Sequence, residues 1–238
     1  MPAGALSELL KGTVYVAARE RTRYTLNGVF WKLNGKQLEV VATDGRRLAL
    51  SRTAAKSQGE GKGILPIRAV TQMVQMGEAP LALSLGERSV EPRTERPEKG
   101  APQHTLVSRL LEGQFPDYQG VIPKDYPNAA TAMAPALLSG LRKAALLSQE
   151  SRSVRLQFHK GGLTLTGGDP GRGNAKVEVD LDYQGGDVDL RLNPDFVMEG
   201  LKSWGVRPVR WEVRDSVSPC VLKDGDEHLY VVLPITLE

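Results

Sequence analysis

The sequence has 238 residues, 40% of them hydrophobic and 25% charged, which is the composition of a globular chain long enough for two ordinary domains. Its formal net charge is +3, with 17 Lys and Arg against 12 Asp and Glu in residues 1–120, and this mild bias alone does not predict nucleic-acid binding. No apolar run approaches the ~20 residues of a membrane helix and the N-terminus lacks a signal-peptide core, so we expect a cytoplasmic chain.

Hydrophobic periodicity and turn residues predict helices separated by short strands. The predicted helices span 3–18, 67–76, 135–148 and 193–204. The predicted strands span 23–33, 37–43, 48–52, 81–85, 105–110, 153–158, 162–167, 175–182, 187–192, 207–214, 218–223 and 228–234. Residues 53–63 are predicted to form a flexible polar loop, and the Pro- and charge-rich residues 87–103 a mobile loop or an irregular edge hairpin. Because the strands follow one another as hairpins, the predicted class is α+β, with antiparallel sheets and two helices per domain on one face.

The chain contains an internal repeat with an offset of roughly 125–132 residues. Three pairs of segments align in the same order: Leu6–Lys11 with Leu138–Lys143, Leu38–Asp44 with Leu163–Asp169, and Pro80–Leu85 with Pro208–Val213. We therefore predict two domains of one topology, residues 1–120 and 121–238. Prolines and aromatic residues at their junction predict a packed connector over residues 115–123.

No arrangement of residues indicates catalysis. The three histidines, His104, His159 and His228, lack metal-ligand spacing, and the single cysteine, Cys220, excludes an intramolecular disulfide and a cysteine metal cluster. The glycine-rich segment 167–174 leads from one predicted strand into another, so we interpret it as a wide hairpin turn rather than a phosphate-binding loop. Asp44 before Gly45 is interpreted as a turn residue. We therefore predict a non-enzymatic protein without a cofactor or metal.

Five motifs in order resemble those of the bacterial sliding clamp, the beta subunit of the replicative DNA polymerase: Arg23–Gly28, Ala42–Ala49, Gly113–Pro123, Asp215–Ser218 and Tyr230–Ile235. The resemblance extends over essentially the whole chain, but it covers only the second and third of the family's three domains, which fits both a natural short form and a fragment. In the family, two chains close a six-domain ring. The resemblance implies a processivity factor that encircles duplex DNA and holds the polymerase to its template.

The resemblance also implies a pocket between the last two domains for short linear peptides of polymerase, clamp-loader and repair proteins. On the side of the first repeat it implies Arg23, Thr25, Leu26, Thr43, Gly45, Arg46, Arg47, Leu48, Pro116 and Val121. From the second repeat it implies Asn193, Phe196, Val217, Pro219, Val231, Leu233, Pro234 and Ile235. Aliphatic walls with a few polar groups suit apolar anchor residues. Thr25, Arg46 and Thr236 depart from the residues usual in the family, which we expect to alter peptide preference.

For DNA, the resemblance implies sequence-independent phosphate contacts from helix residues, here Lys11, Arg19, Arg68, Arg142, Lys143 and Lys202. Our hypothesis for ring closure is a trimer of two-domain chains, because like domains present like edges. The predicted contact residues are Val70, Met73, Met76 and Leu106 on one edge and Leu146 and Leu147 on the other. The alternatives are a peptide-binding adaptor that does not encircle DNA and an incomplete ring segment.

Overall fold

The computed structural model of the chain describes residues 4–19, 24–57, 59–76, 81–94 and 104–236. The chain divides into two compact units, residues 1–116 with 226–228 and residues 117–225 with 229–238. Arg23 of the predicted pocket and residues 95–103 of the predicted loop lie outside the described residues. Within the described residues, no helix is both long and apolar enough to span a membrane.

The described part of the first unit contains helices that flank antiparallel strands. Its elements are α1 (Ala5–Lys11), β1 (Gly28–Asn34), β2 (Gln37–Thr43), β3 (Arg47–Ala54), β4 (Glu60–Pro66), α2 (Ile67–Gln75), β5 (Leu81–Leu85), β6 (Ser89–Thr94) and β7 (Ser108–Arg109). Four strands form a sheet in the order β3-β2-β1-β4, and the other three form a sheet in the order β5-β6-β7. All of these pairings are antiparallel, as expected for strands joined by hairpins.

The second unit has the same kinds of elements in a longer series. They are β8 (Asn128–Met133), α3 (Ala134–Ala145), β9 (Val154–His159), β10 (Gly162–Asp169), β11 (Gly173–Val179), β12 (Asp182–Gln184), β13 (Val188–Leu192), α4 (Pro194–Trp204), β14 (Pro208–Val213), β15 (Cys220–Asp224) and β16 (His228–Val232). One antiparallel sheet has the order β11-β10-β9-β13, and the remaining strands follow the order β12-β8-β14-β15-β16.

The strand orders demonstrate the duplication. In the second unit β9, β10, β11 and β13 take the places that β1, β2, β3 and β4 occupy in the first, with α1 matching α3 and α2 matching α4. The aligned segments Leu38–Asp44 and Leu163–Asp169 fall on β2 and β10, the second strand from the same edge in each sheet. The predicted α+β fold, built from two repeated domains with antiparallel sheets, is therefore confirmed.

Two predicted elements of the first unit are shorter than expected. The helix predicted over 3–18 ends at Lys11, and a 3-10 turn follows at Val14–Val16. Gly12 and the β-branched residues after it favour this early end, because both lower helix propensity. The strand predicted over 23–33 starts only at Gly28, since Tyr24–Leu26 form another 3-10 turn.

Several other segments differ from the prediction, and in one of them the glycines do not form a loop. Residues 53–63 were predicted to be a loop, but β4 begins at Glu60, and a Cβ at Gly63 would lie 2.6 Å from Cδ1 of Leu110. The glycine therefore permits a close packing contact rather than flexibility. For residues 87–103, the described part agrees with the predicted edge hairpin, because β6, which includes Pro92, pairs with β7. Only Ser108–Arg109 of the strand predicted over 105–110 is regular. The alanine-rich strand β8 was not predicted.

Helix α3 packs directly on β10 and β11 through small residues. A Cβ at Gly140 would lie 2.6 Å from Cγ2 of Val179, and a Cβ at Gly167 would lie 2.0 Å from the carbonyl oxygen of Ala144. Leu137 and Leu141 are buried on this face of the helix. The opposite face of α3, which carries Arg142 and Lys143, is consequently left to solvent.

Candidate functional site

The turn between β2 and β3 in the first unit is held by its own side chains. Asp44 Oδ1 accepts hydrogen bonds from the backbone N–H groups of Arg46 (2.9 Å) and Arg47 (3.1 Å). The Arg47 guanidinium donates from Nε to Asp44 Oδ2 at 3.0 Å and lies 6.0 Å from the centre of the Tyr15 ring. Thr43 Oγ1 donates to the carbonyl oxygen of Arg47 at 2.7 Å. Asp44 is therefore a turn residue, as predicted, and it fixes the direction of Arg47.

The segment at residues 24–26 supplies the next predicted residues of the first unit. The carbonyl oxygen of Leu26 accepts the N–H of Ala18 at 2.9 Å, and a Cβ at Gly113 would lie 2.7 Å from Cγ2 of Thr25. Leu26 and Leu48 are 7% and 3% exposed, so their side chains pack mainly in the core of the unit. The accessible predicted residues of this unit are Thr25, Thr43, Gly45, Arg46 and Pro116, whereas the Arg47 side chain is only 9% exposed.

In the second unit, hydrogen bonds bring the start of α4 and the C-terminal segment together. The Asn193 side chain caps α4 by accepting the N–H of Asp195 at 2.9 Å. The Tyr230 hydroxyl donates to the carbonyl oxygen of Phe196 at 2.8 Å, and the N–H of Ile235 donates to the carbonyl oxygen of Arg191 at 2.8 Å. These bonds place Phe196 and the segment 233–235 on neighbouring elements.

The loop at residues 215–219 is organised by one carboxylate. Asp215 Oδ1 accepts the N–H groups of Val217 (2.9 Å) and Ser218 (2.6 Å), and Oδ2 accepts the Ser218 hydroxyl at 2.8 Å. These bonds, the Ser218 N–H first, hold the pKa of Asp215 below its ordinary value. The Tyr126 hydroxyl donates to the carbonyl oxygen of Pro219 at 3.2 Å, and burial raises the pKa of Tyr126. The sequence prediction missed both supporting residues, although Asp-Ser-Val-Ser is typical of an Asx turn.

The second unit therefore presents apolar side chains from a rigid framework. Val217 is 63% exposed and Leu233 is 37% exposed, while Val231 is buried in the core. The remaining predicted residues of this unit are accessible: Val121, Asn193, Phe196, Pro219, Pro234 and Ile235. Exposed aliphatic residues beside polar backbone groups are what a short peptide with apolar anchors requires.

The six predicted basic residues are all exposed, namely Lys11, Arg19, Arg68, Arg142, Lys143 and Lys202. In the described part of the chain, none of them forms an ion pair, so their charges are available to an anionic partner. Helix α3 carries two of these charges and no acidic residue, whereas α4 carries Asp195 and Glu199 beside Lys202. The strongest basic face is therefore that of α3.

The predicted self-association residues divide into accessible and buried groups. Val70 and Met73 are 0% and 1% exposed, since α2 turns this side toward the core. Met76, Leu106 and Leu147 are half-buried, and Leu146 is 66% exposed. Val107, which lies within the segment 104–110 that we predict for the same edge, is 68% exposed.

Comparison with known proteins identifies the family. Residues 1–117 match the DNA polymerase III beta subunit, central domain, and residues 119–236 match the DNA polymerase III beta subunit, C-terminal domain. The chain belongs to the family of bacterial beta sliding clamps. Over 244 residues it is 30% identical to the beta sliding clamp of Escherichia coli (strain K12), and over 240 residues it is 30% identical to that of Pseudomonas aeruginosa.

Solved sliding-clamp structures share the fold. The chain is 28% identical to a P. aeruginosa sliding clamp bound to griselimycin, with a TM-score of 0.91 over all of this chain and 64% of that one. It is 26% identical to the DNA polymerase III beta subunit of Thermotoga maritima, with a TM-score of 0.90 over all of this chain and 65% of that one. The alignments cover 100% and 98% of this chain, but only 65% of the E. coli clamp and 64% of the P. aeruginosa clamp.

We predict that Asp215 makes the loop at 215–219 of this sliding-clamp chain sensitive to acid. Folding lowers the pKa of Asp215, so the ionised carboxylate stabilises the folded loop. This stabilisation is fully present above the pKa that Asp215 has in the unfolded chain, and it is lost as the pH falls through the lower pKa of the folded chain. Asp215→Ala should speed amide exchange at Val217 and Ser218 at neutral pH, as measured by NMR. Asp180→Ala, at an exposed carboxylate, is the control, and unchanged exchange in Asp215→Ala would contradict the assignment.

Proposed function

We propose that this chain is a non-catalytic sliding clamp, which encircles duplex DNA and tethers the replicative polymerase through a short peptide. The observation that carries the proposal is the consecutive match of both units to the central and C-terminal domains of the DNA polymerase III beta subunit. The duplicated strand order supports it, since repeated domains present repeated edges for ring closure. The other partners are clamp-loader and repair proteins.

The peptide surface that we propose in the second unit centres on Val217, Leu233 and Phe196. The backbone around them is already fixed by hydrogen bonds that the Asp215 carboxylate accepts and the Tyr230 hydroxyl donates, so a peptide would bind without first ordering these loops. Val121 is proposed to contribute as well, and Arg23 and the accessible predicted residues of the first unit are proposed as peptide contacts of that unit. Griselimycin, bound by the P. aeruginosa clamp, is a suitable probe for this chain.

DNA contact is proposed through the exposed basic residues of the helices, with α3 contributing most. Arg142 and Lys143 have long, flexible side chains and lie on a helix face without acidic residues. Their charges therefore attract phosphates without contacting the bases. The small number of charges suits a contact that permits sliding, because each phosphate contact adds to affinity and to its dependence on salt. Lys202 lies beside acidic residues of α4 and would contribute less.

Self-association is proposed between an edge of the second unit and an edge of the first. Strand β11 ends its sheet, so its outer N–H and C=O groups can pair with another strand, and Leu146 lies at the end of the neighbouring helix α3. Segment 104–110, with Leu106 and Val107, lies at the edge of the β5-β6-β7 sheet and is the proposed partner edge. Met76 is proposed to contribute to the same partner edge.

We predict that Val217→Glu weakens griselimycin binding about tenfold or more, because a charged side chain replaces an apolar contact that must lose water on binding. Isothermal titration calorimetry measures the dissociation constant. Val206→Glu is the matched control, since Val206 is also an exposed valine of the second unit outside the predicted set. Equal affinities for wild type and Val217→Glu would contradict the proposed surface.

For DNA, the double variant Arg142→Ala, Lys143→Ala should reduce the salt dependence of duplex binding. Each lost phosphate contact lowers the slope of log K against log salt by about 0.9, so the expected change is about 2 per chain. Fluorescence anisotropy of a labelled duplex across a salt series measures it. Lys124→Ala, Lys160→Ala removes two exposed charges of the same unit, from the segment before β8 and from the β9–β10 turn, and should leave the slope unchanged.

Ring formation predicts a solution mass three times the 25.9 kDa of one chain at micromolar concentration, measured by light scattering. It also predicts that assembled protein stays on nicked circular DNA and slips off when that DNA is linearised. A single-chain mass would contradict the trimer. Griselimycin binding without retention on circular DNA would instead favour the peptide-binding adaptor.

A further inference from the structure

The loop between α3 and β9, residues 146–152, combines an exposed apolar residue with a tightly held backbone. Leu146 is 66% exposed, whereas Ser148 is 2% exposed and its hydroxyl donates to the carbonyl oxygen of Ala145 at 3.4 Å. Arg152 has a positive φ of 45°, and its N–H donates to the carbonyl oxygen of Ser148 at 3.0 Å. The loop thus turns back on itself in one defined conformation. A non-glycine residue such as Arg152 adopts a positive φ only when neighbouring contacts support it.

The contact that supports this conformation comes from the end of β10. Asp169 is only 4% exposed, and its two carboxylate oxygens accept the N–H groups of Glu150 (2.9 Å) and Ser151 (3.0 Å). These hydrogen bonds, the Glu150 N–H first, hold the pKa of Asp169 below its ordinary value, so the carboxylate is charged at neutral pH. A buried charge with backbone donors on both oxygens is a strong constraint on the donors' position.

Two further contacts tie the same loop to the β10–β11 hairpin. The Arg172 guanidinium at the hairpin tip lies 3.0 Å from the Glu150 carboxylate. Gly167 of β10 lies against the carbonyl oxygen of Ala144, so the strand leaves no space for the end of α3 to shift toward it. The loop is therefore held at its start by Ala144, in its middle by Asp169 and at its side by Arg172.

We propose that Asp169 is a positioning residue for self-association: by fixing the backbone of residues 150–151 it pre-organises the loop that presents Leu146 to a second copy of this chain. The inference rests on the proposed function, in which this edge of the second unit meets another copy. An exposed leucine on a mobile loop would lose conformational entropy on docking, whereas the anchored loop has lost it on folding. Asp169 touches no partner itself and acts through the loop.

Asp169→Asn tests the proposal, because the amide keeps the size of the side chain but loses the charge and offers an acceptor to only one of the two N–H groups. Sedimentation velocity of the 238-residue protein over a concentration series gives the association constant, and hydrogen exchange reports on residues 150–151. We expect association about tenfold weaker with faster exchange at those amides. Asp189→Asn removes a carboxylate of an exposed Arg155 ion pair on the same sheet and should match wild type.

The outcomes separate the two hypotheses. Unchanged association in Asp169→Asn, despite faster exchange at residues 150–151, overturns the positioning role while the proposed self-association stands. A wild-type chain that stays monomeric overturns both. If Asp169→Asn does not fold, Asp169→Glu decides, since it keeps the charge but moves the carboxylate away from the two N–H groups: weaker association with faster exchange at residues 150–151 supports the positioning role, and unchanged association with faster exchange overturns it.

Discussion

The packing of α3 on β10 and β11 determines most of what the second unit presents to its surroundings. At Gly140 and Gly167 the helix and the sheet approach so closely that any side chain would collide with its neighbours. These contacts fix the distance of the helix from the sheet and its rotation about its own axis. That rotation buries Leu137 and Leu141 and leaves the basic pair on α3 in solvent. The two charges are thus exposed because the opposite face of the helix packs on the sheet, and the same packing fixes the side of the unit from which they project.

Aspartate carboxylates fix the backbone of irregular segments in both units. At one equivalent position of the repeat, the aspartate binds a different segment in each unit. Asp44 and Asp169 are equivalent in the aligned sequences and both lie at the end of the second strand of a hairpin pair. Asp44 accepts N–H groups from its own turn, whereas Asp169 accepts them from the loop after α3. Each arrangement gives a fixed acceptor to two backbone N–H groups of an irregular segment, and three of these four hydrogen bonds are partly buried.

The alignment of the two halves predicted the duplication. Periodicity and turn chemistry predicted the α+β class and most strands, because these patterns follow from local geometry. The sequence alone failed where tertiary contacts override local preference. Gly61 and Gly63 indicate flexibility in isolation, yet Gly63 is required where β4 packs on Leu110. Val70 and Met73 are apolar residues of α2 that periodicity alone assigns equally well to a core or to an interface, and only the fold shows that they are buried.

The two proposed surfaces of the second unit are held by separate sets of contacts. The loop at 146–152 depends on Asp169, Arg172 and Ala144, whereas the loop at 215–219 depends on Asp215 and Tyr126. In the described part of the chain, the hydrogen bonds of one set share no residue with those of the other, so substitutions in the two loops should act additively. The proposed function requires this independence, because peptide partners have to exchange while the copies that surround the DNA stay associated.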